Sequence, residues 1–153
     1  MKIGLADTNH LTANQSIISY NFEPFLRADM KYTIDKTEKY SILKLHESKL
    51  DSTIAPALKS ELLTLHAEGV KNIILDLEEV KYTDSSGLSA LLVGNRILSE
   101  NGGIFILIRL SDHAMKLVRI SQLDTVLNIL NTTEEAVDAV FMHQIEGDLH
   151  DEE

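Results

Sequence analysis

Asn72-Ile73-Ile74-Leu75-Asp76-Leu77 is followed closely by Tyr82-Thr83-Asp84-Ser85-Ser86-Gly87-Leu88, and between these two stretches the chain changes its period. The first belongs to a mostly apolar, β-branched run over residues 70–77, bounded by Gly69 and the pair Glu78-Glu79. Such a run predicts a central strand buried on both faces of a parallel or mixed sheet. Residues 86–100 then follow a helical pattern, with Leu88, Leu91, Leu92 and Leu98 on the inner face and a stop at Asn101-Gly102-Gly103. Residues 84–87 therefore lie where a strand hands over to a helix. Gly94, inside that helix, lowers its propensity and predicts close packing against the sheet.

The same alternation extends outward from this junction. On the N-terminal side, Ile54, Leu58, Leu62 and Leu65 share one helical face. Thr53 is the expected N-cap, placing Pro56 in the first turn, and Gly69 supplies the stop. Before it, Tyr32, Ile34, Ile42, Leu43 and Leu45 predict two strands of a hairpin with its turn at residues 36–39. On the C-terminal side, residues 104–108 form a second buried run. A helix follows over residues 113–120, capped by Ser111 or Asp112 and with Met115, Leu117 and Val118 as its apolar positions. A last short strand is expected over 126–130. Thr132 and Glu135 make a capping box for a final helix striped by Ala136, Val137, Val140 and Phe141. Strand and helix in alternation specify an α/β fold with right-handed crossovers and a mixed, mostly parallel sheet, the opening hairpin giving its antiparallel part.

The 153 residues suffice for one domain with a sizeable core, and 44% hydrophobic with 25% charged residues is the balance of a soluble globular chain. Three parts are expected: a weakly structured extension over 1–29, a domain over 30–143, and an acidic tail over 144–153, solvated and frayed. Met30 begins a cleaner pattern, as it would had the start codon been placed too far upstream; intact mass of the protein from its own host decides that. No signal peptide opens the chain, and no apolar run nears the ~20 residues needed to cross a bilayer. With no cysteine, disulfides and thiolate chemistry are excluded, and a reducing cytosol fits. A net charge of -10, from 14 Lys+Arg against 24 Asp+Glu, argues against nucleic acid and anionic membranes as partners.

Chemistry-bearing patterns are few. The six histidines show no i, i+4 pair on one helix and no Glu-flanked metal motif, so no metal is expected. Gly102-Gly103 precedes a strand rather than a helix, so no nucleotide cradle and no cofactor are expected. Ser85 and Ser86 occupy the place an α/β-hydrolase gives its nucleophile, but the Gly-x-Ser-x-Gly elbow is missing: Thr83 stands two residues before Ser85. What remains is a helix start with hydroxyls. On spacing alone it is either an N-cap made by Asp84 or Ser85, or a place for a phosphate, which free N–H groups and the helix dipole would favour.

Asp84-Ser85-Ser86-Gly87-Leu88, preceded by residues 73–77 and Val80, resembles the signature of the STAS domain as found in bacterial anti-sigma factor antagonists. The resemblance spans about residues 30–141. It includes Leu50-Asp51 before the first helix, Gly102-Gly103 before a strand, and Lys116-Leu117-Val118 followed by Leu123. It implies a small αβ sandwich with helices mainly on one side, acting as a binding module rather than an enzyme. It also implies Ser85 as phosphoacceptor, with Asp84, Ser86, Gly87 and Leu88 forming the partner-binding site. The implied partners are an anti-sigma factor serine kinase, which binds the unphosphorylated form and releases the phosphorylated one, and a phosphatase, all cytoplasmic. The alternative within the family is a non-switching STAS subunit of a stressosome-like or lipid-transport ABC complex. The extension before Met30 and the tail after Phe141 depart from the minimal domain.

Overall fold

The computed structural model describes residues 30–151. The expectations for residues 1–29, including a start at Met30, lie outside the described residues. Among the described residues, seven strands and four helices follow in order. They are β1 (Tyr32–Lys36), β2 (Ser41–Leu45), β3 (Lys49–Leu50), α1 (Ala55–Ala67), β4 (Asn72–Asp76), β5 (Tyr82–Thr83), α2 (Ser85–Glu100), β6 (Ile104–Ile108), α3 (Asp112–Ile120), β7 (Asn128–Leu130) and α4 (Thr133–Asp151). A five-stranded sheet runs β1-β2-β4-β6-β7. Within it only the β1–β2 hairpin is antiparallel, with Tyr32 opposite Leu45; the other pairings are parallel. The fold is the α/β one that the alternation predicts.

The strand β4 sits at the centre, and all five of its residues are buried. Its period of two divides them between two cores. Ile73 and Leu75 join Phe105, Leu107, Leu58, Leu62, Leu65, Leu91, Leu98 and Val118 under α1, α2 and α3. Ile74 joins Ile106, Ile108, Ala136 and Val140 under α4. Three helices thus cover one face and one covers the other. Gly94 has the packing role expected of it: an added Cβ would lie 2.9 Å from Leu62 Cδ1 and 3.0 Å from Phe105 Cε2.

Several local expectations are corrected. The helix α1 is capped at Ile54 with no side-chain cap bond, not at Thr53. Thr53 is already committed: its amide (3.0 Å) and hydroxyl (2.6 Å) both donate to Asp51 Oδ1. Asp51 also receives the amides of Ile54 and Ala55 on its carbonyl, so the aspartate organises this helix start. The last strand begins at Asn128 rather than Val126, because a short 3₁₀ turn over Leu123–Thr125 draws the amides of Val126 and Leu127 onto Leu123 O. After residue 143 the described residues remain helical: α4 continues to Asp151, largely in solvent. No proline interrupts the segment, and side chains at 141, 145 and 149 stack at i, i+4 spacing.

Candidate functional site

Two very short strands, β3 and β5, hold the turn that opens α2. They pair in parallel, Lys49 with Tyr82 and Leu50 with Thr83, apart from the main sheet. The buried Thr83 hydroxyl donates to Leu50 O at 2.9 Å. Asp84 then leaves the strand with φ -123° and ψ -169° and becomes the N-cap of α2. Its Oδ1 accepts the Gly87 amide at 3.0 Å, and its carbonyl accepts the Leu88 amide at 3.0 Å. Of the two caps the sequence left open, Asp84 is the one used.

Ser85 is the first residue of α2 and is exposed; Ser86 behind it is half-buried. Their amides have no acceptor among the described residues, as first-turn amides of a helix commonly lack one. Gly87 and Leu88 turn inward. A Cβ on Gly87 would meet Thr83 Oγ1 at 2.1 Å and Leu50 O at 2.4 Å, so only glycine lets the helix start lie against the β3–β5 pair. Leu88 is 6% exposed and points into the core with Leu50, Leu77 and Val118. The structure therefore brings Asp84, Ser85 and Ser86 to the surface and sets Gly87 and Leu88 beneath them.

Sequence reasoning missed two neighbours of this turn. An open groove between the starts of α1 and α2 is lined by Ser52, Lys59, Ser85, Ser86 and Ser89. Lys59 makes no ion pair among the described residues, so a cation faces the serines unneutralised. On the other side His113 of α3 stacks on Tyr82, with centroids 5.1 Å apart and planes at 25°. Its Nε2–H donates to Thr83 O at 3.2 Å. No period marks Ser52, Lys59 or His113 as belonging with Ser85; only the chain's crossovers bring them together.

Beneath the turn, the chain from β4 to β5 is pinned by charge. Asp76 is buried and receives Arg109 on both carboxylate oxygens, and it also accepts the Glu78 amide at 3.0 Å. Glu78 is bonded to Lys44 at 2.8 Å, and that ammonium, followed by Arg109, holds its carboxyl below the usual range. Among the described residues no three His, Asp or Glu side chains gather as a metal site, and no helix is long and apolar enough to cross a membrane.

Residues 31–136 match the STAS domain. BtrV of Bordetella bronchiseptica is 29% identical over 110 residues, covering 72% of this chain and 94% of its own. The anti-sigma-B factor antagonist of Staphylococcus aureus is 28% identical over 86 residues, 56% of this chain and 80% of its own. Among solved structures, the Bacillus cell fate determinant SpoIIAA in its phosphorylated form is 27% identical with a TM-score of 0.57, covering 71% of this chain and 98% of that one. An anti-sigma factor antagonist from Mycobacterium paratuberculosis, 21% identical, shares the fold with a TM-score of 0.65 over 72% of this chain and 93% of that one.

Proposed function

The chain belongs to the STAS domain family, and from that premise we propose that it is an anti-sigma factor antagonist that works by partner switching. In its unphosphorylated form it binds an anti-sigma factor serine kinase in the cytosol through the surface around Asp84, Ser85 and Ser86. Gly87 and Leu88 support that surface by fixing the helix start from below. The kinase transfers the γ-phosphoryl group of ATP to Ser85 Oγ. A P–O bond forms there as the bond to ADP breaks, and the hydroxyl proton goes to a base of the kinase. The phosphorylated chain is released, and a phosphatase returns it to the binding form. Relatives named as anti-sigma factor antagonists, and the phosphorylated SpoIIAA, support the reading.

One observation carries it: Ser85 is exposed while the residues on either side hold its backbone rigidly. A phosphate adds about -1.5 to -2 charges at neutral pH. At Ser85 it would lie at the positive end of the α2 dipole, beside two unpaired amides, so the fold can carry it. On the outer side it would stand next to the carboxylate of Asp84, where an acidic partner surface would be repelled. The switch is thus electrostatic and needs no refolding.

Incubation with the cognate kinase and labelled ATP tests this. Label on Ser85, lost in Ser85→Ala, is expected. Full labelling of Ser85→Ala would overturn the assignment.

A further inference from the structure

The helix α4 has two apolar sides, and the sheet uses only one. Ala136 and Val140 are fully buried against the sheet. At 100° per residue, Ile145, Leu149 and Met142 project from the opposite side, and Phe141, whose ring stands edge-on to Tyr40 with centroids 6.4 Å apart, leads into them from the flank. These four side chains are 52%, 58%, 57% and 41% exposed in that order. Their i, i+4, i+8 spacing makes a continuous stripe about 12 Å long. Glu146 borders it on one flank and Asp148 on the other, and neither has an ion pair among the described residues. An exposed apolar stripe between carboxylates is half of an interface. It also lies across the sheet from Ser85, since α2 packs on the other face.

We propose that this outward face of α4 docks a basic amphipathic helix of a partner protein. The partner's apolar side chains, spaced i, i+3 or i+4, would cover the stripe while its Lys or Arg residues pair with Glu146 and Asp148, as flanking charges do between paired helices. Charge complementarity selects this occupant over the others. A second copy of the chain would bring the same carboxylates against themselves. Residues 1–29 hold two basic residues, Lys2 and Arg27, against three acidic ones, Asp7, Glu23 and Asp29, so the chain's own N-terminal segment offers no matching charge. The site is independent of the Ser85 switch and stands or falls without it.

The test uses the full chain and a fluorescent synthetic peptide of Leu and Lys, about five turns long, patterned to give one apolar helical face. A shuffled peptide of the same composition is the control, both at physiological salt to limit loose charge attraction. Anisotropy should show saturable binding of the patterned peptide. It should weaken about tenfold or more for the shuffled peptide and for the double variant Ile145→Gln, Leu149→Gln, which keeps every charge. Reversal of the flanks in Glu146→Lys, Asp148→Lys should weaken it likewise. Equal binding by the shuffled peptide or by the Gln variant would overturn the proposal, leaving charge alone. A dimer in sedimentation that the Gln variant dissolves would overturn it in favour of a second copy. Amide-exchange protection over 141–149 that is lost in Phe22→Ala, Phe25→Ala would overturn it in favour of the chain's own N-terminal segment.

Discussion

At the scale of single residues, Asp84 carries two duties that substitutions can separate. Its Oδ1 caps α2 through the Gly87 amide, and its charge stands beside Ser85 on the surface. Asparagine keeps the acceptor oxygen and removes the charge, whereas alanine removes both. Asp84→Ala should therefore lower stability by about 1 kcal/mol, as lost caps do, while Asp84→Asn should stay near wild type in urea unfolding. If the kinase reads the charge, both variants bind it less well in a pull-down or titration; unchanged affinity in Asp84→Asn would confine Asp84 to capping. For Ser85, replacement by Asp should weaken kinase binding by about tenfold or more, through charge placed in the interface, while Ser85→Ala binds as wild type. Equal affinities for the three proteins would remove the charge from the mechanism. Gly87 shows where sequence reading stops. A glycine after two serines reads as a residue that eases a turn, but its reason is the approach of Thr83 and of Leu50 O, from a strand far back in the chain. Gly87→Ala should cost about 1–3 kcal/mol, as overpacking does. Removing the Thr83 side chain in the same protein should restore only part of that, since the Leu50 carbonyl still blocks the methyl.

At the scale of elements, legibility follows length and period. The strands β4 and β6 and the helices α1 and α2 are long enough to repeat their pattern, and their residues fall where the pattern puts them. The Thr132–Glu135 capping box is made as the spacing predicts: the Glu135 amide donates to Thr132 Oγ1 at 3.1 Å, and Glu135 Oε1 receives the Thr132 amide at 3.3 Å. The pair β3–β5 is invisible in the sequence because two residues have no period, yet these strands position Ser85. The charge of the tail suggests fraying, but a run of carboxylates says nothing about the i, i+4 apolar spacing it contains. After β6 the chain turns through Arg109, whose φ of 59° puts a non-glycine residue in the left-handed region. That conformation costs about 1–2 kcal/mol for an L-residue, and here the guanidinium bound to buried Asp76 offsets it. Arg109→Gly loses the ion pair but sheds the strain; Arg109→Ala loses the pair and keeps the strain. Thermal unfolding should rank wild type above Arg109→Gly and Arg109→Gly above Arg109→Ala. If alanine is the better tolerated of the two, the backbone at 109 is not what the ion pair stabilises.

At the scale of the whole molecule, the sheet separates two surfaces, with the Ser85 turn at the start of α2 on one side and α4 on the other. Both expose carboxylates on a chain of net charge -10, so acid should bear on the fold in a definite direction. Asp51 is held below its ordinary 3.8 by the Thr53 hydroxyl and then the Thr53 amide, and Glu78 below its ordinary 4.5 by Lys44 and then Arg109. A carboxyl with a lower pKa folded than unfolded releases its proton more readily in the folded chain. Its stabilising contribution is complete above the unfolded pKa and disappears as pH falls through the folded one. Glu78 is exposed and Asp51 only half-buried, which keeps each contribution small, but they sit at joints: Asp51 organises the start of α1 beside the groove, and Glu78 braces the link from β4 to β5. The urea midpoint should therefore be flat from pH 7 to about 5 and fall below about 4.5, where the unfolded chain begins to bind protons that the folded one still excludes. The double variant Asp51→Asn, Glu78→Gln should be less stable than wild type at pH 7, and the gap should narrow as pH falls below the ordinary values of 4.5 and 3.8, because the contribution of each charge is lost as protons bind. A gap between the two proteins that stays constant from pH 7 to pH 3 would assign the acid sensitivity to other carboxylates.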